Sequence, residues 1–184
     1  LSLASWLTPL LFWSGLALAG GVIAYGLAPD LPRFLTAMGH QPVPPDRLMG
    51  EPVRILFIHV PAAWLGMGGW AGIAISSAAL LIWKHPLAAL SARAIAVPGL
   101  VFTLICLATG SIWGRPTWGT WWVWDGRLTS MLVLAFLYVG YLALAQAAAR
   151  EGASPRIAAI FGMVGAINIP IINRSVEWWA DRTL

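Results

Sequence analysis

Five apolar stretches, each long enough to cross a lipid bilayer as a helix, constrain the fold of this chain more than any other feature. A hydrocarbon core of about 30 Å takes about 20 helical residues, because unpaired backbone N–H and C=O groups cannot face lipid. With 59 % hydrophobic and 10 % charged residues, the composition is also that of a membrane protein. We therefore predict an all-α, polytopic membrane helix bundle that forms a single domain over residues 1–184. The predicted spans run approximately over Leu10–Ala28, Ile55–Trp83, Ala94–Trp113, Leu128–Ala148 and Ile157–Ile172.

The first stretch, Leu10–Ala28, is predicted to be a retained span and not a signal peptide. No basic residue precedes it, and it is longer than the 7–15 apolar residues of a signal-peptide core. The chain begins with Leu1 and not with Met, so we expect a few residues to be missing before it.

The loops predict the orientation of the chain in the membrane. Two short polar loops on one side, 84–93 and 150–156, hold four basic residues, whereas the arginines on the other side are interleaved with acidic residues. Short, basic loops favour the cytoplasm. We therefore expect the tryptophan-rich loop on the opposite, outer side. The four basic residues of the short loops are Lys84, Arg93, Arg150 and Arg156.

Charge and cysteine content exclude several classes of function. The net charge of +4 comes from scattered residues, and nucleic-acid binding would require a basic stripe or patch. Cys106 is the only cysteine, which excludes an internal disulfide, a CxxC redox pair and a thiolate metal cluster.

The stretch from Trp113 to Leu128 holds five of the twelve tryptophans of the chain. Tryptophan rings often form a belt at the membrane–water interface, which explains isolated tryptophans such as Trp70. Such a belt needs fewer rings than this stretch supplies. We predict either a loop or a short interfacial helix that opens at Pro116 and ends at Asp125. Such a helix would form a platform for a flat apolar ligand or a cation, although a simple membrane anchor is the alternative. The five tryptophans are Trp113, Trp118, Trp121, Trp122 and Trp124.

His59 is the histidine best placed for chemistry. It lies about one turn into the second predicted span, where an ionisable side chain must face a partner or a cavity. Neutral imidazole is a common axial ligand of haem iron, although a structural role is equally open. Arg54, Arg115 and Arg127 are predicted at the same membrane face, where guanidinium groups could hold carboxylates. A tetrapyrrole would use the tryptophan rings, the histidine and the arginines together.

GSIWGRPTWGTWWVWDGRLTS, residues 110–130, resembles the tryptophan-rich signature of the WWD family of cytochrome c assembly proteins. VRILFIHVPAAW at 53–64, FLYVGYLAL at 136–144 and NIPIINRSVEWW at 168–179 resemble its other blocks, in the expected order. The resemblance covers most of the chain.

This resemblance implies a six-span protein of the bacterial inner membrane that handles haem b without enzymatic turnover. Residues 113–128 would be its haem-binding segment at the periplasmic face, with His59 as an axial ligand of the iron. Arg54 and Arg127, predicted at the same membrane face from the sequence, would then bind the haem, and Asp125 would orient the platform through hydrogen bonds. The implied partners are the haem chaperone CcmE and the proteins CcmD, CcmA and CcmB, in a multi-subunit complex for cytochrome c-type biogenesis.

One departure from the family pattern concerns the second axial histidine. The family carries it soon after its Trp-Trp pair, but this chain ends five residues after Trp178-Trp179. We expect that ligand and a sixth span to lie past Leu184; the alternative is iron with one protein ligand. Two other functions remain open: a haem-attaching synthase of the same superfamily, and a permease that carries haem through its own helices. The span centres offer little polar lining for a permease.

Overall fold

The computed structural model describes residues 54–85 and 87–180, and all the secondary structure there is helical. Residues 59–180 belong to one compact unit, and the described residues before it, 54–58, belong to another. The five helices, numbered here α1 to α5, are Leu56–Trp83, Ala88–Trp118, Gly126–Arg150, Arg156–Gly165 and Asn168–Ala180. The predicted span Leu10–Ala28 lies outside the described residues, and the single domain over 1–184 stays a prediction.

Four helical segments of the described residues are long and apolar enough to cross a membrane. They are Leu56–Trp83, Ala88–Trp118, Gly126–Arg150 and Arg156–Ser175. The second and fourth predicted spans are confirmed to within two residues at each end. The third prediction, Ala94–Trp113, was too short at both ends, because neither Arg93 nor Pro116 stops the 31-residue helix α2.

The last predicted span, Ile157–Ile172, is broken into α4 and α5. Pro170 has no N–H and its ring clashes with the carbonyl one turn earlier, so a helix cannot pass through it unchanged. The chain instead makes three-residue turns, with Ala166 N bonded to Met163 O at 3.2 Å and Ile167 N to Val164 O at 3.2 Å. Pro170 then lies in the first turn of α5, where no N–H is required.

Glycine residues let α1 and α2 approach closely. A Cβ atom on Gly66 would lie 2.7 Å from the Thr103 hydroxyl, and one on Gly69 would lie 3.2 Å from the Gly99 Cα. Small residues have this role in membrane helix pairs, where backbones approach until they nearly touch. The Tyr138 hydroxyl of α3 donates to the Gly66 carbonyl at 2.7 Å, which ties the third helix to this pair.

Trp70 is the largest side chain of the core and is fully buried, at 0 % exposure. Its ring meets Tyr138 edge-on at 4.9 Å between centroids, with Tyr141 and Phe161 farther out. The prediction that Trp70 belongs to an interfacial belt was therefore wrong. Gly165 of α4 leaves room for the ring, since a Cβ atom there would lie 2.9 Å from Trp70 Cε2, so Trp70 fills the space between helices and does not face lipid.

Candidate functional site

The candidate site lies at one end of the bundle, where the start of α1 meets the second half of α2 and the start of α3. His59, in the first turn of α1, is half-buried and reaches α2. Its Nδ1 atom lies 3.0 Å from the carbonyl oxygen of Cys106 and 3.1 Å from the hydroxyl oxygen of Thr109. Two neighbouring groups of α2 therefore hold one nitrogen of the imidazole.

These two contacts define which nitrogen of His59 carries the proton. A carbonyl oxygen only accepts hydrogen bonds, so Nδ1 must be the donor to Cys106. The Thr109 hydroxyl donates to the Ile105 carbonyl at 2.7 Å, which leaves its lone pairs free to accept from Nδ1. In the neutral ring the other nitrogen, Nε2, is then unprotonated and can bind a metal ion or accept a hydrogen bond.

The Cys106 thiol lies beside the imidazole and not in front of Nε2. Its sulfur is 3.8 Å from Nδ1 and 4.0 Å from Nε2, nearly equal distances. A group on the lone-pair axis of Nε2 would be much farther from Nδ1 than from Nε2. The lone pair of Nε2 is thus not directed at the thiol.

Gly110 provides the space that the imidazole occupies. A Cβ atom at this position would lie 3.2 Å from His59 Cε1, which is tight, and 3.6 Å from Leu128 Cδ2, which is an ordinary contact, so even alanine would crowd the imidazole. The sequence-based prediction of the site missed Thr109, Gly110 and the Cys106 carbonyl. These residues are spaced i, i+3 and i+4, which places small and polar residues on one face of α2. That spacing was the one feature of the sequence that could have predicted them.

The tryptophan-rich stretch is a helix end followed by a loop, so the predicted short helix from Pro116 to Asp125 was wrong. Helix α2 runs through Pro116 and ends at Trp118; Gly119 then adopts a left-handed conformation with φ of 74°. The Gly119 N–H bonds to the Arg115 carbonyl at 3.1 Å, a common way to end a helix. The predicted single face of Trp118, Trp121, Trp122 and Asp125 therefore does not form.

Asp125 begins a helix and does not end one. Its Oδ1 accepts from the backbone N–H of Leu128 at 2.7 Å, which makes it the N-cap of α3. Asp-Gly is typical of turns, but aspartate is also a preferred N-cap residue, and the sequence pattern alone did not separate the two.

The indole rings form edge-to-face pairs along the helix end and the loop. Trp113 meets Trp118 at 5.2 Å between centroids, and Trp122 meets Trp124 at 5.5 Å. Trp118, Trp121 and Trp124 expose 44 %, 57 % and 69 % of their surface. The buried indole nitrogens of Trp113 and Trp122 have no hydrogen-bond partner among the described residues. The stretch therefore combines exposed flat surface with two unused donors.

The three arginines differ in their surroundings. Arg127 lies in the first turn of α3, two residues after its N-cap Asp125. Arg115 donates to the Gly119 carbonyl and lies 6.0 Å from the centre of the Trp121 ring, so it is engaged within the loop. Arg54 lies in a short 3₁₀ turn before α1 and belongs to the other unit, so its role at the site stays a prediction.

Comparison with known proteins identifies the family of the chain. The sequence model of the family described as Heme exporter protein C matches residues 10–183. The chain belongs to the Heme exporter protein C family. The matched residues include the His59 segment, the tryptophan-rich stretch and helix α5.

Relatives in this family share much of the sequence. Heme exporter protein C of Bradyrhizobium diazoefficiens is 51 % identical over 136 residues, which cover 74 % of this chain and 52 % of the relative. That of Escherichia coli K12 is 50 % identical, covering 74 % and 56 %. That of Haemophilus influenzae is 40 % identical over 173 residues, covering 94 % and 65 %. The chain thus spans between half and two thirds of the length of these Heme exporter protein C relatives.

Proposed function

We propose that this protein binds haem b at the His59 site and delivers it for cytochrome c maturation, without catalysing a reaction of its own. The hydrogen bond from His59 Nδ1 to the Cys106 carbonyl carries this proposal, because it leaves Nε2 as a metal ligand. Ligating histidines usually donate their other nitrogen to such an acceptor, which fixes the ring and raises its basicity. The name of the matching family, Heme exporter protein C, supports the same ligand.

The single imidazole of His59 suits a metal ion whose other ligands come from a cofactor. Among residues 54–85 and 87–180, no group of three or more His, Cys, Asp or Glu side chains could hold a metal ion. A single imidazole suits iron already held by four porphyrin nitrogens, which can accept an axial ligand. Bound haem would be the cargo of the protein, and the chain would supply the axial nitrogen, the aromatic surface and the positive charge.

The tryptophan-rich segment 113–128 suits the macrocycle itself. The exposed rings of Trp118, Trp121 and Trp124 offer flat apolar area, which a planar ring system can cover. Trp113 and Trp122 keep buried indole N–H groups that could donate to a ligand oxygen. Arg127, in the first turn of α3, could pair with a propionate. Arg54 stays a candidate for haem binding, as the sequence predicted, and we assign Asp125 to holding α3 in place as its cap.

Family membership supports a proposal for the cellular role. We propose that the protein spans the bacterial inner membrane with the tryptophan-rich loop in the periplasm, where it hands haem to CcmE. CcmD, CcmA and CcmB would be its partners in the membrane complex. Apolar helices of sufficient length support the multi-pass placement.

A visible spectrum of the purified protein tests the proposal. We expect the parent protein in detergent to retain haem with a Soret band, and His59→Ala to shift the band and to lower the haem content. His85→Ala is the matched control, because His85 is exposed at the other end of the bundle and accepts from the Leu87 N–H. The same spectrum from all three proteins would exclude His59 as the ligand. Covalent transfer of haem to an apocytochrome by the purified protein alone would favour the synthase.

A further inference from the structure

A cavity of about 320 Å³ lies at the end of the bundle opposite to His59. It is enclosed by the last turns of α1 and α3 and by the first turns of α2 and α4. Its size is within the range of about 300–1,000 Å³ that is usual for ligand pockets. Nine alanines make most of its wall, so the walls are smooth and apolar.

Three polar side chains line this otherwise apolar cavity. Ser77 is 1 % exposed, and its hydroxyl has no hydrogen-bond partner among the described residues. Tyr141 is 3 % exposed, and the charge of the nearby Arg93 acts on its hydroxyl. Arg93 itself lines the cavity and is exposed at its rim. A buried hydroxyl without a partner is costly, so its presence beside a cation points to a ligand with an oxygen acceptor.

The same end of the bundle is rich in positive charge. The helix ends beside the cavity carry three basic residues, Lys84, Arg150 and Arg156. The loop between α3 and α4 carries one acidic residue, Glu151. Clusters of this kind attract anionic lipid headgroups, and basic pockets between membrane helices bind them specifically. The charge, the apolar walls and the unpartnered hydroxyl therefore favour one kind of occupant.

We propose that this cavity binds an anionic phospholipid, with an acyl chain against the alanine walls and the phosphate at Arg93 and Ser77. A soluble anion would satisfy the polar groups alone and would leave the apolar walls without a partner, whereas a lipid satisfies both. The assignment does not depend on haem binding, because the cavity and the His59 site share no residue.

Lipid binding by the full chain tests this assignment. The purified protein in detergent is titrated with phosphatidylglycerol or phosphatidylcholine at physiological salt, and bound lipid is counted by native mass spectrometry. We expect phosphatidylglycerol to bind more tightly, and Arg93→Gln to weaken it about fivefold, the effect of one basic residue near an anionic lipid. Arg150→Gln is the matched control: it removes an exposed charge at the same end that does not line the cavity. We expect it to change binding less than twofold, because Arg150 adds only to the general, screened positive charge of this end and, unlike Arg93, does not line the cavity.

A second pair of variants tests the apolar part of the cavity. Ala148→Leu places a larger side chain on a half-buried position that lines the cavity, whereas Ala147→Leu places the same side chain on an exposed position of α3 outside it. We expect only Ala148→Leu to lower the amount of bound phosphatidylglycerol, with both variants still folded by thermal unfolding. Equal effects of Arg93→Gln and Arg150→Gln, or equal binding of both lipids, would overturn the proposal. Displacement of the lipid by millimolar inorganic phosphate would show a free-anion site instead, and would also overturn it.

Discussion

His59 and Cys106 are joined by a hydrogen bond of 3.0 Å from the imidazole Nδ1 to the backbone carbonyl of the cysteine. The acceptor is part of the α2 backbone, so its position does not depend on the side chain at residue 106. The thiol only packs beside the ring. The orientation of the histidine is therefore set by helix packing and by one hydroxyl, that of Thr109.

Thr109→Val should weaken haem binding more than Cys106→Ala. The first variant removes a hydroxyl 3.1 Å from Nδ1, and a lost hydrogen bond of this kind costs about threefold to tenfold in affinity. The second keeps the carbonyl. Haem titration followed at the Soret band measures both. A larger loss in Cys106→Ala would mean that the thiol, and not the backbone, holds the ring.

Gly110→Ala should displace the imidazole without unfolding the protein. The new methyl group would lie 3.2 Å from His59 Cε1, a distance at which the ring must move. We expect about tenfold weaker haem binding, because a disturbed partner of a metal ligand typically costs 10–100-fold. Gly68→Ala, which meets nothing within 4 Å, is the control and should bind haem as the parent does. Equal haem affinity in the two variants would show that Gly110 does not determine the position of the His59 ring.

Trp121→Ala and Trp70→Ala should have opposite consequences. Trp121 is 57 % exposed, so its loss should lower haem retention about tenfold through lost apolar contact, with little change in thermal stability. Trp70 is fully buried, and its removal should cost about 3–5 kcal/mol of folding free energy. Trp83→Ala, exposed at the other end of the bundle, should change neither quantity. Unchanged haem content in Trp121→Ala would reduce that ring to a membrane anchor.

Asp125→Ala should destabilise the start of α3 by about 1 kcal/mol, the usual cost of losing an N-cap. Asp125→Asn should restore both stability and haem binding, because asparagine caps a helix as well as aspartate does. Thermal unfolding and the haem content of each variant measure the effect. Failure of Asp125→Asn to restore haem binding would show that the negative charge, and not the cap, is needed at this position.

The sequence predicted the membrane helices, because a long apolar run depends only on residue type, and it selected candidate site residues that stay a prediction. The span Ile55–Trp83 was predicted within one residue of α1, since 20 or more apolar residues in succession have few other structures. His59 was selected by its depth in that span alone. The break between α4 and α5 was missed although Pro170 was noted, because the proline acts one turn before its own position.

The geometry of the site could not be predicted in the same way. The tryptophans were assigned to one helical face by their spacing, but Gly119 ends α2 before that face can form. The contact between His59 and Thr109 joins residues 50 positions apart, and no local pattern encodes it. Spacing along the chain describes a helix surface only where the helix continues, and contacts between helices depend on the packing of the whole bundle.

Both ends of the tryptophan loop are fixed by helix termini, with Gly119 closing α2 and Asp125 opening α3. A substitution at a loop position between Gly119 and Asp125 changes one side chain and leaves both helix ends in place. A deletion there would shorten the chain between two fixed helix ends and would have to undo one of the caps. The loop therefore has a minimum length, which is set by the distance between the two caps and not by the rings it carries.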